Sequence, residues 1–428
     1  MSRVRAPRAH LVCVGSELLA GQVNTHQAWL SLRLRRAGFE VAGESSVPDD
    51  VRSIASALRW ALSKADAVIV CGGLGPTFDD LTREAACAAL GLKLTFDPRL
   101  WSRIAKRFSR FVGPIPEENK RQAWVISGAK ILDNLVGSAP GQSLELHGRA
   151  GNAQSLVLLP GPYSEMAPMF ERVLPRLRAR HARRQGTASL TLRLAEVPES
   201  TADERLAIVR SRYPDAEFTI LASGGEVSFH ATVKASTAPA ARRMISRLRH
   251  DALNAVGRWT YGSGDDTLES VVGERLTRNR MTLAVAESCT GGLLGARLSS
   301  TPGASSYFMG GVIAYSDCVK TRRLGVAPGL IRRYGAVSSE CAAAMAAGAR
   351  AAAGAAIGLS VTGIAGPRGG IKKKPVGLVF LSVSGPGTLT LTRRREFLGP
   401  REHVRQRATT SALALLMEAL GPLRSSAA

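Results

Sequence analysis

The sequence predicts an α/β protein of three consecutive domains, the first built on a doubly wound parallel sheet. The chain has 428 residues, more than one hydrophobic core normally serves. Short uninterrupted apolar runs alternate with amphipathic helical patterns, which is typical of parallel sheets covered on both faces. A segment rich in Gly and Asp, 257–266, precedes the last alternating region. We therefore predict an α/β domain at 1–175, a small α+β domain at 185–258 and a second α/β domain at 265–425.

The first domain is predicted from a regular succession of elements. In chain order they are strand 10–14, helix 25–37, strand 39–47, helix 51–64, strand 67–71, helix 81–90 and strand 156–159. Gly38 and Gly91 follow two of these helices, as glycines often do at helix C-termini.

The remaining elements define the other two domains. The small domain is predicted to hold strands 189–194 and 226–234 with helices 202–213 and 238–256. The last domain is predicted to hold helix 268–279, strand 283–286, a glycine turn into a helix, strands 311–315, 357–362 and 376–382, and helix 401–420. Residues 257–266 are expected to be a linker.

The charge balance raises the question of nucleic acid, because 57 Lys and Arg stand against 34 Asp and Glu, a net charge of +23. Phosphate binding needs clustered cations, whereas these basic residues are spread along the chain. The densest run, Arg172 to Arg184, has no interleaved aromatic residue and is interpreted as an exposed helix end or linker. We expect a solvated basic surface and no nucleic acid partner.

The cysteines and apolar runs indicate a cytoplasmic protein. Six cysteines show neither a C-x-x-C zinc pattern nor the density of a secreted disulfide scaffold. The first apolar run, 11–14, is too short for a signal peptide core, and no apolar stretch has the length of a membrane span. We therefore expect no membrane association.

Polar side chains follow three apolar strands of the last domain. Ser288 and Thr290 lie in a glycine turn before a helix, where free backbone N–H groups can bind an anion or where the two hydroxyls can simply cap the helix. Tyr315 ends the next strand, with Lys320 after it, and Thr362 ends a third. Because ligands of open α/β sheets bind beyond the carboxyl ends of strands, these residues are predicted to share one site.

These segments resemble the C-terminal domain of the CinA family. The matching strings are E-S-C-T-G-G (287–292), G-G-V-I-A-Y-S-D-C-V-K (310–320), G-A-V-S (335–338), T-G-I-A-G-P-R-G-G (362–370) and K-P-V-G-L-V (374–379). The resemblance implies hydrolysis of nicotinamide mononucleotide to nicotinate mononucleotide and ammonia. That reaction recycles pyridine nucleotides, and the implied chemistry needs no cofactor.

The resemblance also implies roles for individual residues. Ser288 is the implied nucleophile, Lys320 and Tyr315 assist proton transfer, and Thr362 completes the catalytic set. The implied substrate-binding residues come from the glycine turns and from basic positions suited to a phosphate. They are Thr290, Gly291, Gly292, Gly363, Lys374, Arg401 and Arg405.

Two alternatives stay open at this site. Lys320 can be a solvated cation on a helix, since a lysine acts as a base only when its surroundings lower its pKa. Cys289 can be the nucleophile instead of a packing residue, because thiolates at helix N-termini attack well. Arg368 and Ile371 stand where the family has small or hydroxyl residues, which leaves the phosphate contacts of that loop open.

A second candidate site follows the strand at 67–71. Backbone amides of a glycine loop can approach a phosphate, and adjacent carboxylates can hold a divalent cation. The loop residues are Gly72, Gly73, Gly75 and Thr77, and the carboxylates are Asp79 and Asp80. The alternative is that the two carboxylates only favour a helix N-terminus that Thr77 caps.

This region resembles the N-terminal domain of the CinA family, which is similar to the molybdopterin-binding fold. The matching strings include V-G-S-E-L-L-A-G-Q-V (14–23), residues 72–82, A-P-G (139–141) and L-P-G-P (159–162). The resemblance implies a metal-dependent ADP-ribose pyrophosphatase with Glu17, Asp79 and Asp80 on a divalent metal ion. Ser16, His26 and Phe78 depart from the family pattern and predict an altered or weakened activity.

The middle domain resembles the small KH-like domain of the same family. It has no G-x-x-G clamp of the RNA-binding kind, so we expect a structural or oligomerisation element and a homodimer. The leading hypothesis is a bifunctional enzyme acting on nicotinamide mononucleotide and ADP-ribose. One alternative is a single-activity deamidase whose N-terminal domain only binds a pterin or nucleotide. The other is a competence or DNA-damage accessory protein that binds DNA through its arginine run.

Overall fold

The computed structural model describes residues 6–108, 115–148, 151–181 and 186–421. The chain divides into two compact units. One unit holds the residues up to 189 together with 233–243, and the other holds 190–232 together with the residues from 244 onward.

The helices of the described residues are α1 Ser16–Leu19, α2 Thr25–Arg36, α3 Val51–Lys64, α4 Thr82–Leu90, α5 Pro98–Phe108, α6 Tyr163–Arg180, α7 Glu199–Arg212, α8 Ala238–Val256, α9 Leu268–Arg278, α10 Leu293–Ser299, α11 Asp317–Leu324, α12 Pro328–Tyr334, α13 Ser339–Ala353 and α14 Arg401–Ala419. The strands are β1 Arg8–Val14, β2 Glu40–Val47, β3 Ala67–Cys71, β4 Leu94–Phe96, β5 Trp124–Ile126, β6 Lys130–Leu132, β7 Gly141–His147, β8 Ala153–Leu159, β9 Gly186–Ala195, β10 Glu217–Ser223, β11 Glu226–Ala235, β12 Thr260–Ser263, β13 Leu283–Glu287, β14 Phe308–Ile313, β15 Ile357–Gly363, β16 Leu378–Ser384 and β17 Thr390–Glu396.

The N-terminal sheet has six strands in the order β2-β1-β3-β8-β7-β6. Strands β2, β1, β3 and β8 are parallel, and β7 and β6 continue the sheet antiparallel. Apolar side chains of α2 and α6 pack on one face, and those of α3 and α4 pack on the other. Because helices cover both faces of a mostly parallel sheet, the predicted doubly wound fold is confirmed. Gly91 ends α4 in the left-handed conformation, as its position predicts.

The middle sheet has the order β10-β11-β9-β12. Its last strand lies inside the segment predicted to be a linker: Thr260–Ser263 pairs antiparallel with β9. The linker prediction is therefore wrong for these residues. The strand has only four residues and one partner strand, and the Gly- and Asp-rich residues around it favour the prediction of a linker.

The C-terminal sheet has the order β14-β13-β15-β16-β17. Strands β14, β13 and β15 are parallel, and β16 and β17 are antiparallel to their neighbours. Helices α9, α10 and α14 supply the core on one face, and α11 and α13 supply it on the other. Strand β14 ends at Ile313, two residues earlier than predicted, so Tyr315 follows the strand.

The arginine run lies partly on α6, which ends at Arg180, while residues 182–185 lie outside the described part of the chain. Arg180 pairs with Glu145 at 3.0 Å, and Arg172 donates to the backbone carbonyl of Asp133. These two arginines are therefore engaged within the N-terminal fold. Among the described residues, no helix is long and apolar enough to cross a membrane.

Candidate active site

The carboxyl ends of three neighbouring strands meet at one edge of the C-terminal sheet. Glu287 at the end of β13 is in register with Ile313 of β14 and with Val361 of β15. The Ser288 N–H donates to the Val361 carbonyl at 2.9 Å, and the Ala314 N–H donates to the Glu287 carbonyl at 2.6 Å. Ser288 therefore lies between the ends of its two neighbour strands.

The turn that follows Ser288 is closed by a carboxylate. The side chain of Glu287 is buried and accepts hydrogen bonds from the backbone N–H groups of Gly292, Leu294 and Gly295 at 2.8–3.1 Å. Helix α10 has only seven residues, and this carboxylate occupies its first amides. Of the amides predicted to be free here, those of Gly292, Leu294 and Gly295 therefore already have a partner. Gly292 has no free amide to offer a substrate, and the capping group is Glu287 rather than Ser288 or Thr290.

Lys320 is buried on the first turn of α11, with 2% of its side chain exposed. Its ammonium lies 3.2 Å from the Asp317 carboxylate and 3.4 Å from the Tyr315 carbonyl. The solvated-cation alternative for Lys320 is therefore wrong. The Tyr315 carbonyl lies just beyond the end of β14, so the ammonium is at the same sheet edge as Ser288.

Two arginines of α14 connect the site segments. Arg401 donates to the Tyr315 hydroxyl at 3.0 Å and to the Gly366 carbonyl at 2.9 Å. Arg405 donates to the Thr290 carbonyl at 2.8 Å and pairs with Glu402. Because a guanidinium has five N–H donors, both arginines keep donors for an anionic ligand. The structure thus brings Ser288, Tyr315, Lys320, Arg401 and Arg405 together.

Other predicted residues of this site have partners within the protein. The buried Thr362 hydroxyl donates to the Ala336 carbonyl at 2.8 Å. The Lys374 ammonium donates to the Tyr334 and Val337 carbonyls at 2.6 and 2.7 Å. Both side chains therefore fix the loop that contains the G-A-V-S string, and Lys374 keeps at most one donor for a phosphate.

The backbone at Gly291 and Gly363 suits close approach of other groups. Gly291 has a left-handed φ of 60°, which side-chain-bearing residues rarely adopt. A Cβ on Gly363 would lie 2.7 Å from the Leu378 carbonyl oxygen. The two glycines are thus required by the turn and by the neighbouring strand, whatever else they contact.

Thr290 and Cys289 are both buried in the turn. Thr290 is fully buried, and its hydroxyl has no hydrogen-bond partner among the described residues. Cys289 belongs to the apolar core, and burial raises the pKa of its thiol to about 12. A thiol with this pKa stays protonated near neutral pH. This property supports the interpretation of Cys289 as a packing residue.

The glycine loop of the N-terminal domain already holds an anion of its own. The Asp80 carboxylate accepts hydrogen bonds from the N–H of Gly75 at 2.7 Å, from the N–H of Thr77 at 2.8 Å and from the Thr77 hydroxyl. Helix α4 begins after Leu81 and has no side-chain cap, so the alternative that Thr77 caps it is wrong. The amides of Gly75 and Thr77 are therefore not free for a phosphate.

Two arginines donate hydrogen bonds to backbone carbonyls of this loop. The buried Arg83 donates to the carbonyls of Leu74 and Gly75 at 2.8 and 3.0 Å, and burial lowers its pKa. Arg121 donates to the Thr77 carbonyl at 2.6 Å. Gly72 and Gly73 have left-handed φ values, and a Cβ on Gly72 would lie 2.2 Å from the Val14 carbonyl oxygen. The loop is thus rigidly fixed, a feature that the sequence pattern did not reveal.

The predicted metal carboxylates do not form a metal centre. Glu17 and Asp79 are exposed, and Asp80 is engaged in its own loop. Within the described ranges, no group of three or more His, Cys, Asp or Glu side chains is placed to hold a metal ion. A divalent ion at this loop would therefore need ligands other than these three carboxylates, such as substrate phosphate oxygens. Of the departures from the family pattern, Ser16 pairs with Asp49, the His26 ring stacks on Tyr163, and Phe78 is exposed.

The fold and the sites define an α/β protein that joins a molybdopterin-binding-like N-terminal domain to a C-terminal domain with a serine, a lysine and a tyrosine at one sheet edge. Family models agree with this class: residues 10–179 match a probable molybdopterin binding domain, and residues 265–420 match the CinA C-terminal domain. The chain belongs to the CinA family, which confirms the resemblance described above.

Relatives match over nearly the whole chain. A Moorella thermoacetica protein with the name competence-damage inducible protein is 42% identical over 416 residues, covering 96% of this chain and 99% of its own. A CinA-like protein of Koribacter versatilis is 40% identical over 415 residues, with coverage of 96% and 99%. A crystal structure titled as CinA with unknown function from Thermoplasma acidophilum covers 40% of this chain and 98% of its own at 31% identity and a TM-score of 0.37.

Proposed function

We propose that the C-terminal domain hydrolyses the carboxamide of nicotinamide mononucleotide, releasing ammonia and nicotinate mononucleotide for pyridine nucleotide recycling. The observation that carries the proposal is the burial of Lys320 on α11, the helix that follows β14, while Ser288 follows the neighbouring strand β13. A buried lysine with a single acidic partner contributes little to folding stability. Proton exchange with a neighbouring serine is a role that its position supports.

The residues suggest an acyl-enzyme reaction. Ser288 Oγ attacks the carboxamide carbon while its proton passes to Lys320 Nζ. The lysine then protonates the amide nitrogen of the tetrahedral intermediate, and the C–N bond breaks to release ammonia and leave the serine ester. A water molecule attacks this ester and gives its proton to the lysine, which returns the proton to Ser288 Oγ as nicotinate mononucleotide leaves. Tyr315, held by Arg401, lies beside this path, and Arg401 and Arg405 supply donors for the 5′-phosphate. Since Glu287 occupies the α10 amides, the oxyanion requires donors outside that helix.

Ammonia release from nicotinamide mononucleotide by the full-length protein tests the proposal. Replacing Ser288 with Ala should lower kcat by at least about 10³-fold, because the nucleophile is lost. Ser299→Ala is the matched control, because its hydroxyl is exposed and donates to the Ala296 carbonyl of its own helix. Equal turnover by the parent and the Ser288 variant would refute the assignment. A chelator should leave the rate unchanged, since the proposed chemistry uses no metal.

For the N-terminal domain we propose the single-activity alternative, in which the domain binds a pterin or nucleotide without cleaving it. The engagement of Asp80 by its own loop supports this choice. ADP-ribose with Mg²⁺ or Mn²⁺ is the test, using the parent, Asp79→Asn and Asp80→Asn proteins. Cleavage by the parent that disappears in the Asp79 variant would favour the bifunctional enzyme instead.

The names of relatives support a second candidate function, that of a competence or DNA-damage accessory protein. It predicts DNA binding that weakens steeply with salt, because phosphate contacts release counterions. Fluorescence anisotropy of a labelled duplex at increasing salt concentrations measures this property. We expect no specific binding, because Arg172 and Arg180 are engaged within the fold. Specific, salt-sensitive binding would favour the accessory role.

A further inference from the structure

One guanidinium on α10 joins four elements of the second unit. Arg297 is largely buried, with 22% of its side chain exposed. It donates to Glu226 of β11 at 2.8 Å, to Glu269 of α9 at 2.6 Å and to the Thr410 hydroxyl of α14 at 2.9 Å. The planar fork of an arginine can satisfy such divergent partners at once, whereas a lysine ammonium cannot reproduce that geometry.

Further contacts join the middle sheet to the same helix α14. The Thr410 hydroxyl donates to the Gly224 carbonyl at 2.8 Å, at the turn between β10 and β11. Glu196, directly after β9, accepts from Arg395 of β17 and from the Ser411 hydroxyl. Glu196 has a φ of 63°, the left-handed conformation that is unfavourable for residues with a side chain.

The two helices held in this way are both connected to the candidate active site. Helix α10 begins directly after the turn that contains Ser288. Helix α14 begins with Arg401 and continues with Arg405, which donates to the Thr290 carbonyl in that same turn. A displacement of one helix against the other would therefore break the Arg405 contact and move Ser288 relative to Arg401.

We propose that the middle sheet acts as a clamp on the amidohydrolase site, and that Arg297 is a positioning residue within it. Glu226 of β11 and Glu196, directly after β9, hold α10 and α14 in place through these contacts. The clamp gives the small middle domain a role in catalysis without contact to substrate. This inference rests on the proposed function for its kinetic part, but the contacts themselves can be tested without any activity.

The test uses full-length Glu226→Gln, Arg297→Lys and the double variant, each assayed well below its unfolding temperature. Amide hydrogen exchange should become about tenfold faster in peptides covering 288–299 and 401–411, while α13 stays unchanged. In the ammonia assay, kcat should fall about tenfold with a smaller change in KM, because the reacting groups are misplaced. The double variant should be no worse than the worse single variant, since both disrupt one contact.

Arg278→Gln is the control, because it removes an exposed ion pair with Glu274 from the same unit; it should behave as the parent. Unchanged exchange in α10 and α14, or equally faster exchange in α13, would overturn the clamp. Faster exchange with the kcat of the parent would overturn the positioning role of Arg297. A parent protein that releases no ammonia would refute the proposed function alone, and the exchange measurements would still decide the clamp.

Discussion

Replacing Lys320 with Met separates a catalytic from a structural role of this lysine. A catalytic role predicts a lower kcat with an equal or higher free energy of unfolding, whereas a structural role predicts a lower free energy of unfolding. The lysine side chain is 2% exposed, whereas its partner Asp317 is 59% exposed. Loss of the ion pair should cost at most about 1 kcal/mol, since solvent screens Asp317. Removing the buried ammonium while keeping its volume also removes the desolvation cost of that charge, and the remaining Asp317 carboxylate stays solvated. The free energy of unfolding should therefore stay equal or rise.

Activity should change in the other direction. A positioned proton-transfer group contributes about 10²- to 10⁴-fold to a rate, so kcat for ammonia release should fall by that factor. Urea unfolding and the ammonia assay are run on the same preparation. Arg323→Met is the control, since it removes an exposed cation from the same helix. A Lys320→Met protein with the kcat of the parent, or one destabilised by more than about 3 kcal/mol, would refute this reasoning.

Three further predictions follow from burial and hydrogen bonding. Cys289→Ala should keep the parent's kcat. Iodoacetamide at pH 8 should label the exposed Cys318 but not Cys289, because burial raises the pKa of the Cys289 thiol to about 12. Detection of labelled Cys289 by mass spectrometry would contradict this prediction. Asp80→Asn should lower the free energy of unfolding of the N-terminal unit by about 1 kcal/mol, measured by urea unfolding, because an amide cannot accept all three loop hydrogen bonds. Asp79→Asn is the control, and equal effects of the two substitutions would count against the role of Asp80 in the loop. Burial lowers the pKa of His10, and the charge of Arg8 lowers it further. The contribution of His10 to the free energy of unfolding should therefore be complete above pH 6.5, the unfolded pKa, and decline as the pH falls through the lower folded pKa. A His10→Gln protein whose stability shows the same decline with pH would exclude His10 as the source.

Periodicity and turn residues predicted the parallel strands of the N-terminal and C-terminal sheets. The strand at 67–71 and the helices at 51–64 and 238–256 have the predicted bounds, because each is a long apolar or amphipathic run with clear ends. Strand β17, with its sequence T-L-T-R-R-R-E, has no such apolar pattern. It forms because β16 offers a partner edge, and pairing across a sheet is not visible in a local window.

The sequence predicted which segments form the candidate sites, but it did not predict the hydrogen bonds within them. Glu287 was part of the matching string, yet nothing in its local sequence shows that its carboxylate points back at α10. An acidic residue just before a glycine turn and a helix is the signal that was available. Arg297 and Glu226 are 71 residues apart, so only the folded chain brings them together.

The inward carboxylate of Glu287 has a consequence for how a substrate would be received. Because Glu287 satisfies the amides of Gly292, Leu294 and Gly295, this part of the loop needs no bound molecule to keep its shape, and little conformational entropy remains to be lost there on binding. Crystals grown with and without a nucleotide should superpose closely over residues 287–295, with any adjustment confined to the arginine side chains at the start of α14.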